Sequence, residues 1–360
     1  MKGYLLLEDG HLFTGQSIGS QKEVICEIVF NTSMTGYVEL LTDPSYAGQG
    51  VVMTYPLIGN YGVCFEDQES RRPWVSAFLM RELSRIPSNF RSQGSLGDYL
   101  KEAGIPGLQG IDTRALTKLL REKGTMNGMI TTDENFNREE ALKRIAAYKH
   151  QGLVQRTSCK AVEHYGEDPL SKTVALLDLG GKSSIVQCLV KRGCKVTVYP
   201  CGTSAEAILA DKPDGIMLSN GPGDPKDCGP IIDEVAKLVH SGIPLFAICL
   251  GHQLVALAAG GSTHKLPYGH RGSNHPVRDT STGRTYISAQ NHGYVVDGYS
   301  LPNHVHVAFE NVNDGTVEGL EFDTLPVYSV QFHPEASAGP HDTQFLFDRF
   351  IAQMGGGKNA

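Results

Sequence analysis

Three residue types in the C-terminal half of this chain could together carry out nucleophilic catalysis: a cysteine, a histidine and a glutamate. Cys249 follows the apolar run 243–248 and precedes Gly251 and a stretch of helix-forming residues. This order predicts a strand, a sharp turn and a helix, in which the turn holds the nucleophile clear of the sheet. The start of a helix favours a thiolate, because the dipole and the free N–H groups stabilise negative charge. Most buried cysteines are inert packing residues, so Cys249 by itself does not indicate an enzyme.

A Gln-Phe-His-Pro-Glu segment at 331–335 supplies the base and the group that orients it. Residues 327–332 are β-rich and alternate, which predicts a strand, and residues two apart on extended chain face the same side. His333 and Glu335 can therefore face one site, with the carboxylate orienting the imidazole. The order Cys, His, Glu differs from that of the α/β-hydrolases, in which the acid precedes the histidine. Taken alone, a surface histidine beside a proline turn would be the simpler interpretation.

A third segment, Ser-Asn-Gly-Pro-Gly-Asp-Pro at 219–225, follows the apolar run 215–218. Its two glycines let the backbone approach a ligand and direct N–H groups at it. Fixed donors of this kind suit an oxyanion hole, where charge develops on a tetrahedral intermediate. Alone, the segment is equally typical of an ordinary turn at a strand end.

Together the three segments resemble the class I, triad-type glutamine amidotransferase domain, over about residues 173–354. The resemblance implies that Cys249 attacks the side-chain amide of glutamine, with His333 as general base and Glu335 as its partner. It assigns the oxyanion donors to the N–H groups of Gly221 and Leu250. It also implies a set of residues that hold the glutamine: Gly223, Gln253, Asn291, Gly293 and Tyr294.

Composition excludes several other classes of function. The net charge of −7 and the lack of a basic run argue against a nucleic-acid surface. No apolar stretch is long enough for a membrane span, and the N-terminal one is too short for a signal peptide. Eight cysteines without a C-x-x-C pair predict reduced thiols and a cytoplasmic location. Hydrophobic residues make up 40% of the 360, enough for the cores of two domains.

Metal and nucleotide binding on this chain are not expected either. Among the histidines of residues 264–306, only His304 and His306 have a ligand-like spacing, and no nearby cysteine or carboxylate completes a set. The Gly-Gly-Lys-Ser sequence at 180–183 is not a P-loop, because Leu176 stands where the first glycine would be required. We therefore predict no metal and no ATP site, and interpret residues 180–183 as a tight turn that opens a helix.

The order of predicted elements indicates an α/β fold with two domains. In residues 173–354, strands and helices alternate, which predicts a mostly parallel sheet with helices on both faces. Residues 1–150 do not show this alternation, which indicates a separate mixed α/β domain. In that domain, Asp112 is predicted to cap a helix that ends at Gly124. The polar stretch 151–172 is interpreted as a linker, and the tail 355–360 as disordered.

A glutamine amidotransferase domain releases ammonia from glutamine. Segments of the N-terminal half indicate which acceptor receives that ammonia. The runs 30–37, 41–46, 53–62 and 110–116 resemble the family of carbamoyl-phosphate synthetase small subunits. The resemblance then covers almost the whole chain and implies that Ser45 contributes to the glutamine site. It implies that ammonia is channelled to a large subunit, which makes carbamoyl phosphate from bicarbonate and ATP for pyrimidine and arginine biosynthesis. The chain would have no cofactor of its own, ATP and magnesium being expected on the large subunit, in a heterodimer or a higher oligomer.

Three alternatives remain open at this point. The glutaminase of another synthase, such as one for anthranilate or guanylate, would match only the C-terminal half. A γ-glutamyl hydrolase would need no partner. A regulatory subunit without catalysis would have lost the nucleophile, whereas Cys249, His333 and Glu335 are all present.

Overall fold

The computed structural model describes residues 1–167 and 172–355, and the chain divides into two compact units, Met1–Gln151 and Gly152–Ala360. The division falls beside the boundary predicted near residue 150. The tail predicted to be disordered lies, from residue 356 onward, outside the described residues. Each unit has a sheet and a core of its own.

The first unit is built around a closed barrel of mixed strands in the order β1-β2-β8-β6-β4-β3-β9. Closure pairs β1 with β9 and so leaves the barrel without an open edge. Its strands, with the small β5–β7 pair, are β1 (Lys2–Leu7), β2 (Leu12–Gly19), β3 (Val24–Asn31), β4 (Gln49–Met53), β5 (Leu57–Ile58), β6 (Ala77–Leu79), β7 (Glu82–Leu83), β8 (Pro106–Gln109) and β9 (Met126–Thr131). Its helices are α1 (Tyr37–Thr42), α2 (Leu96–Glu102), α3 (Thr113–Lys123) and α4 (Arg138–Ala147).

The capping signals of α3 act as the sequence predicts. The Asp112 side chain accepts a hydrogen bond from the N–H of Ala115 at 2.9 Å, which satisfies one free donor of the first turn. Gly124 ends the helix with a φ of +91°, a conformation that favours glycine. The buried stripe of α3, including Leu116 and Leu120, faces the barrel. The barrel itself was not predicted, because no local pattern encodes its closure.

The segments of the first unit on which the family resemblance depends contact one another. Asn31 donates from Nδ2 to the Tyr46 hydroxyl at 2.8 Å, and Tyr37 donates from its hydroxyl to the Gly62 carbonyl at 2.6 Å. The rings of Tyr37 and Tyr61 stack with their centroids 4.1 Å apart. These polar residues, which local chemistry alone would place in loops, thus form a buried framework at one part of the barrel.

The second unit is a single twisted sheet in the order β10-β12-β11-β13-β14-β19-β18-β17-β15-β16. Its strands are β10 (Glu163–Tyr165), β11 (Lys172–Asp178), β12 (Cys194–Pro200), β13 (Gly215–Leu218), β14 (Leu245–Ile248), β15 (Ser262–Asp279), β16 (Thr285–Asp297), β17 (Val305–Asn311), β18 (Val317–Phe322) and β19 (Val327–Val330). Its helices are α5 (Leu153–Thr157), α6 (Ser183–Val190), α7 (Ala205–Ala210), α8 (Gly229–Val239), α9 (Leu250–Ala258) and α10 (Phe345–Gly355).

The centre of this sheet is parallel, as the alternation of strands and helices predicts. Strands β12, β11, β13, β14 and β19 pair in parallel. Successive residues point to opposite faces: Ile216 and Leu218 join one core, and Met217 joins the other. Both faces are therefore covered, as the fold class requires. An antiparallel flank of β18, β17, β15 and β16 extends the sheet on one side.

The interpretation of residues 151–172 as a linker is wrong for the parts that form α5 and β10. Residues 153–157 form α5, and β10 pairs antiparallel with β12 at the edge of the sheet. The Asp178 carboxylate also accepts a hydrogen bond from the N–H of Cys159 at 2.6 Å. The segment is polar because it covers an edge. Its residues 168–171 lie outside the described part of the chain.

Candidate active site

Cys249 occupies a strained turn between β14 and α9. Its φ is +53° and its ψ −104°, a backbone conformation that residues other than glycine rarely adopt. The residue is only 2% exposed. Its N–H donates to the Val330 carbonyl of β19 at 2.8 Å, which fixes the turn to the neighbouring strand. Gly251 allows the close packing, since a Cβ there would lie 2.8 Å from the backbone oxygen of Leu218. The predicted strand, turn and helix are thus present, and the turn carries the thiol.

His333 and Glu335 form the buried pair that the sequence predicts. Nδ1 of His333 lies 2.6 Å from Oε1 of Glu335, and the N–H of His333 donates to the Ala289 carbonyl at 2.9 Å. The way in which the chain brings the two side chains together differs from the prediction. Strand β19 ends at Val330, and Glu335 lies in the turn that follows. The turn, rather than strand alternation, brings the carboxylate back to the ring.

The electrostatics of the pair favour a protonated imidazole. Burial lowers the pKa of His333, but the Glu335 carboxylate and the Cys249 sulfur outweigh it and raise the pKa to about 10. The other ring nitrogen, Nε2, is buried and has no hydrogen-bond partner among the described residues. The ring therefore holds a proton that it can give to a leaving group beside Cys249.

Lys182 extends this arrangement, and sequence reasoning missed it. Its Nζ lies 3.1 Å from Oε1 of Glu335 and donates to the Ala336 carbonyl at 2.6 Å. Burial raises the pKa of Glu335, but Lys182 and then His333 outweigh it and bring the pKa to about 2. The Gly-Gly-Lys-Ser segment does open a helix as predicted, with Lys182 at the position before α6. Its position after a buried strand was the available signal.

Gly221 and Leu250, whose N–H groups are the predicted oxyanion donors, pack against each other. A Cβ on Gly221 would lie 2.7 Å from Cδ2 of Leu250 and 2.3 Å from the carbonyl oxygen of Leu179, so only glycine fits there. Leu250 is the first residue of α9, so its N–H has no partner within the helix. The loop is held by Ser219, whose Oγ accepts from the Leu179 N–H at 2.9 Å. Gly223 adopts a φ of +95° in the same loop.

One predicted glutamine-binding residue contacts the thiol directly, and two others are linked to it through Gln331. The thiol donates to the Asn291 carbonyl at 3.7 Å, and Nε2 of Gln331 donates to the sulfur at 3.6 Å. Gln253 donates from Nε2 to the Tyr294 carbonyl at 2.8 Å and to Oε1 of Gln331 at 3.0 Å. Gly293 is half-buried on the same strand, β16. Gln331 was not assigned a role from sequence, although it belongs to the motif that supplied His333.

Ser45 lies in the first unit, in a short turn after α1. Its N–H donates to Oδ1 of Asp43 at 2.9 Å, and the residue is buried. This is the turn chemistry expected of an Asp-Pro-Ser sequence. Its contribution to the glutamine site stays a prediction.

Two other histidines of residues 264–306 lie beside a carboxylate. Glu318 of β18 lies beside His270 and His292, and the donor atoms of the three residues all lie within 4.8 Å of one another. His306 instead pairs with Asp323 on the surface. The cluster joins three different strands, so spacing along the sequence does not show it.

Comparisons with known proteins agree with this geometry. Residues 175–353 match the family model for glutamine amidotransferase class-I, which is the class of domain that the second unit forms. Residues 5–130 match the model for the carbamoyl-phosphate synthase small chain, CPSase domain.

Full-length relatives narrow the assignment. The chain is similar to the carbamoyl phosphate synthase small chain of Clostridium perfringens, at 50% identity over 98% of this chain and 99% of that one. It is 51% identical to the carbamoyl phosphate synthase small chain of Listeria monocytogenes, over 99% and 97% of the two chains. The carbamoyl phosphate synthase pyrimidine-specific small chain of Halalkalibacterium halodurans is 49% identical over 100% and 99%. The chain belongs to the family of carbamoyl-phosphate synthase small chains. In the described part of the chain, no helix is long and apolar enough to cross a membrane.

Proposed function

We propose that this chain hydrolyses L-glutamine through Cys249, His333 and Glu335 and passes the ammonia to a carbamoyl-phosphate synthetase large subunit. The observation that carries the proposal is the buried Cys249 turn beside the His333–Glu335 pair, at the C-terminal ends of parallel strands. Ligands bind at such ends in open α/β sheets. The match of residues 5–130 favours this function over the glutaminase of another synthase or a free-standing hydrolase.

The chemistry follows from the groups present. The Cys249 thiolate attacks the side-chain amide carbon of glutamine, and the carbonyl oxygen becomes an oxyanion. The N–H groups of Gly221 and Leu250 stabilise that charge. His333 protonates the departing ammonia, which leaves a γ-glutamyl thioester. His333 then takes a proton from water, the hydroxide attacks the thioester, and glutamate and the thiol are released.

Glu335 and Lys182 support His333 without contacting the substrate. The carboxylate fixes the ring through Nδ1, so that Nε2 is the nitrogen that exchanges protons. The ammonium of Lys182 keeps that carboxylate charged in a buried site. These supports and the strained Cys249 turn lie together at the C-terminal ends of parallel strands.

The partner and the location follow from the family. A small chain implies a large chain, and we assign to that partner the steps that consume bicarbonate and ATP, with magnesium and the nucleotide bound there. All eight cysteines are free thiols, which supports a reducing, cytoplasmic compartment. The product would serve pyrimidine and arginine biosynthesis.

A glutaminase assay on the co-expressed subunits tests the proposal. We expect Cys249→Ser to lower the rate of glutamate release by at least about a thousandfold, since the nucleophile is lost. Cys228→Ser is the matched control, because that thiol is also buried in the second unit but lies outside the site. Activity that survives in Cys249→Ser, or that is equally lost in Cys228→Ser, would contradict the assignment.

A further inference from the structure

A buried histidine of the antiparallel flank lies between two carboxylates. Nε2 of His270, on β15, lies 2.8 Å from Oδ2 of Asp314, in the turn between β17 and β18. Its Nδ1 lies 3.6 Å from Oε1 of Glu318, on β18. The side chain of His270 is 8% exposed and that of Glu318 is fully buried. One imidazole therefore faces two acids from two different segments.

A protonated ring accounts for this arrangement better than a neutral one. A neutral imidazole has a single N–H, so donation to Asp314 would leave the Nδ1 lone pair facing Glu318. Burying the Glu318 carboxylate beside a neutral ring is costly. Burial lowers the pKa of His270, but the hydrogen bond with Asp314 and the nearby Glu318 carboxylate outweigh it and raise the pKa to about 9. Burial tends to raise the pKa of Asp314, but His270 outweighs it and lowers the pKa to about 2.

The other charged and titratable groups nearby leave that proton on His270. Burial and the charge of His270 lower the pKa of His275 to about 4 and that of His292 well below its usual value. Arg271 adds a fixed positive charge near His292, with its Nη1 donating to the Tyr268 carbonyl at 2.7 Å. The cluster therefore holds one histidinium between two carboxylates.

A metal ion would have to displace hydrogen bonds that already exist. Both oxygens of Glu318 are occupied, one by Nδ2 of Asn311 at 2.8 Å and the other by Nε2 of Gln290 at 2.9 Å. Each ring nitrogen of His292 lies 2.9 Å from an oxygen, of Tyr294 or of Gln290. A proton on His270 disturbs none of these contacts.

The cluster is joined to the strand that lines the thiol. Glu318 binds the amide of Gln290, Gln290 binds His292, and His292 lies against the Tyr294 carbonyl, to which Gln253 also donates. Between Gln290 and His292 lies Asn291, whose carbonyl accepts from the Cys249 thiol. Hydrogen bonds therefore connect the cluster to the strand that contacts the thiol.

We propose that protonated His270, held between Asp314 and Glu318, braces β16 and so positions the glutamine-binding residues beside Cys249. His270 is a positioning residue that touches neither the substrate nor the sulfur. This inference rests on the proposed glutaminase function.

The sign of the pH effect follows from the raised pKa of His270. Its folded-state pKa of about 9 lies above the ordinary value of 6.5. The stabilisation is complete below pH 6.5 and is lost as the pH rises through 9. The KM for glutamine should accordingly rise as the pH passes 9.

The test compares His270→Gln with the wild-type complex between about pH 6 and pH 10, in KM and kcat for glutamine and in thermal unfolding. At about pH 7 we expect KM to rise about tenfold with kcat changed less than about threefold, because the variant loses positioning and keeps the chemistry. The KM ratio of variant to wild type should approach one at the alkaline end, where the wild type has lost its proton.

Two further variants complete the design. Asp314 lies in a turn, where its side chain is 41% exposed, and Asp314→Asn keeps the shape of that side chain. The KM for glutamine should then begin to rise at a lower pH than in the wild type. Asp323→Asn is the control, since Asp323 pairs with the exposed His306 in the same part of the sheet. It should change neither the KM for glutamine nor its dependence on pH.

Contradicting results are a KM ratio that stays constant with pH, or stoichiometric zinc retained by the wild type and lost in His270→Gln. Thermal unfolding needs no catalysis: the difference in melting temperature should shrink as the pH passes 9 even if glutamine is not the substrate. Failure of the inference and failure of the proposed function are therefore distinguishable.

Discussion

The Lys182 ammonium lies 3.1 Å from the Glu335 carboxylate, and both side chains are buried. Removing one partner of a buried pair leaves the other charge without compensation. Lys182→Met should therefore destabilise the protein by about 3 kcal/mol, far more than the loss of a surface ion pair. Urea denaturation measures this difference.

The same pair predicts a pH effect. The pKa of Glu335 is about 2, below the ordinary 4.5, so its stabilisation is present above 4.5 and is lost as the pH falls through 2. Lys182→Met should raise that pKa and move acid unfolding to higher pH, as followed by circular dichroism. In the double variant Lys182→Met/Glu335→Gln both charges are absent, so stability should partly return; no return would contradict the pairing.

Gln331 links Cys249 to Gln253, a predicted glutamine-binding residue, through contacts of 3.6 Å to the Cys249 sulfur and 3.0 Å to Gln253. Gln331→Met keeps the volume and removes both hydrogen bonds. We expect a rise in KM and a fall in kcat of about tenfold each, as for the loss of hydrogen bonds to charged or reacting groups. Gln187→Met, on the exposed face of α6, should leave both constants unchanged. An effect on KM alone would limit Gln331 to supporting Gln253.

The turn that carries Cys249 has no space for a side chain at Gly251. A Cβ there would lie 2.8 Å from both Cβ and O of Leu218. Gly251→Ala should lose most glutaminase activity and about 1–3 kcal/mol of stability, because the helix must move away from the strand. Gly229→Ala is the control, since a Cβ at this helical position meets nothing within 4 Å. Wild-type activity in Gly251→Ala would show that the turn tolerates displacement.

Local sequence patterns predicted the elements that position the nucleophile. The apolar run before Cys249, Gly251 and the helix-forming residues after it encode strand, turn and helix within a dozen residues, and the structure has that order. The parallel centre of the sheet follows from the same alternation. The antiparallel flank was not predicted, because its long strands β15 and β16 are polar and contain bulges that break their alternation.

Contacts between distant segments could not be predicted in this way. Lys182 and Glu335 are 153 positions apart, and His270 and Glu318 come from different strands, so neither pair leaves a spacing signal. Gln331 belongs to a recognised motif, but its role depends on Gln253, which is 78 positions away. The charged residues that support the site are thus brought together only by the fold, whereas the turn that carries Cys249 can be predicted from local sequence.

Covalent labelling with a diazo-ketone analogue of glutamine tests the central claim most directly. The intact mass of the chain, alone and with the large subunit, would be measured after incubation and followed by peptide mapping. The account predicts one adduct per chain, on Cys249, blocked by excess glutamine and absent from Cys249→Ser. No adduct in either state, or an adduct on another cysteine that glutamine does not block, would contradict it.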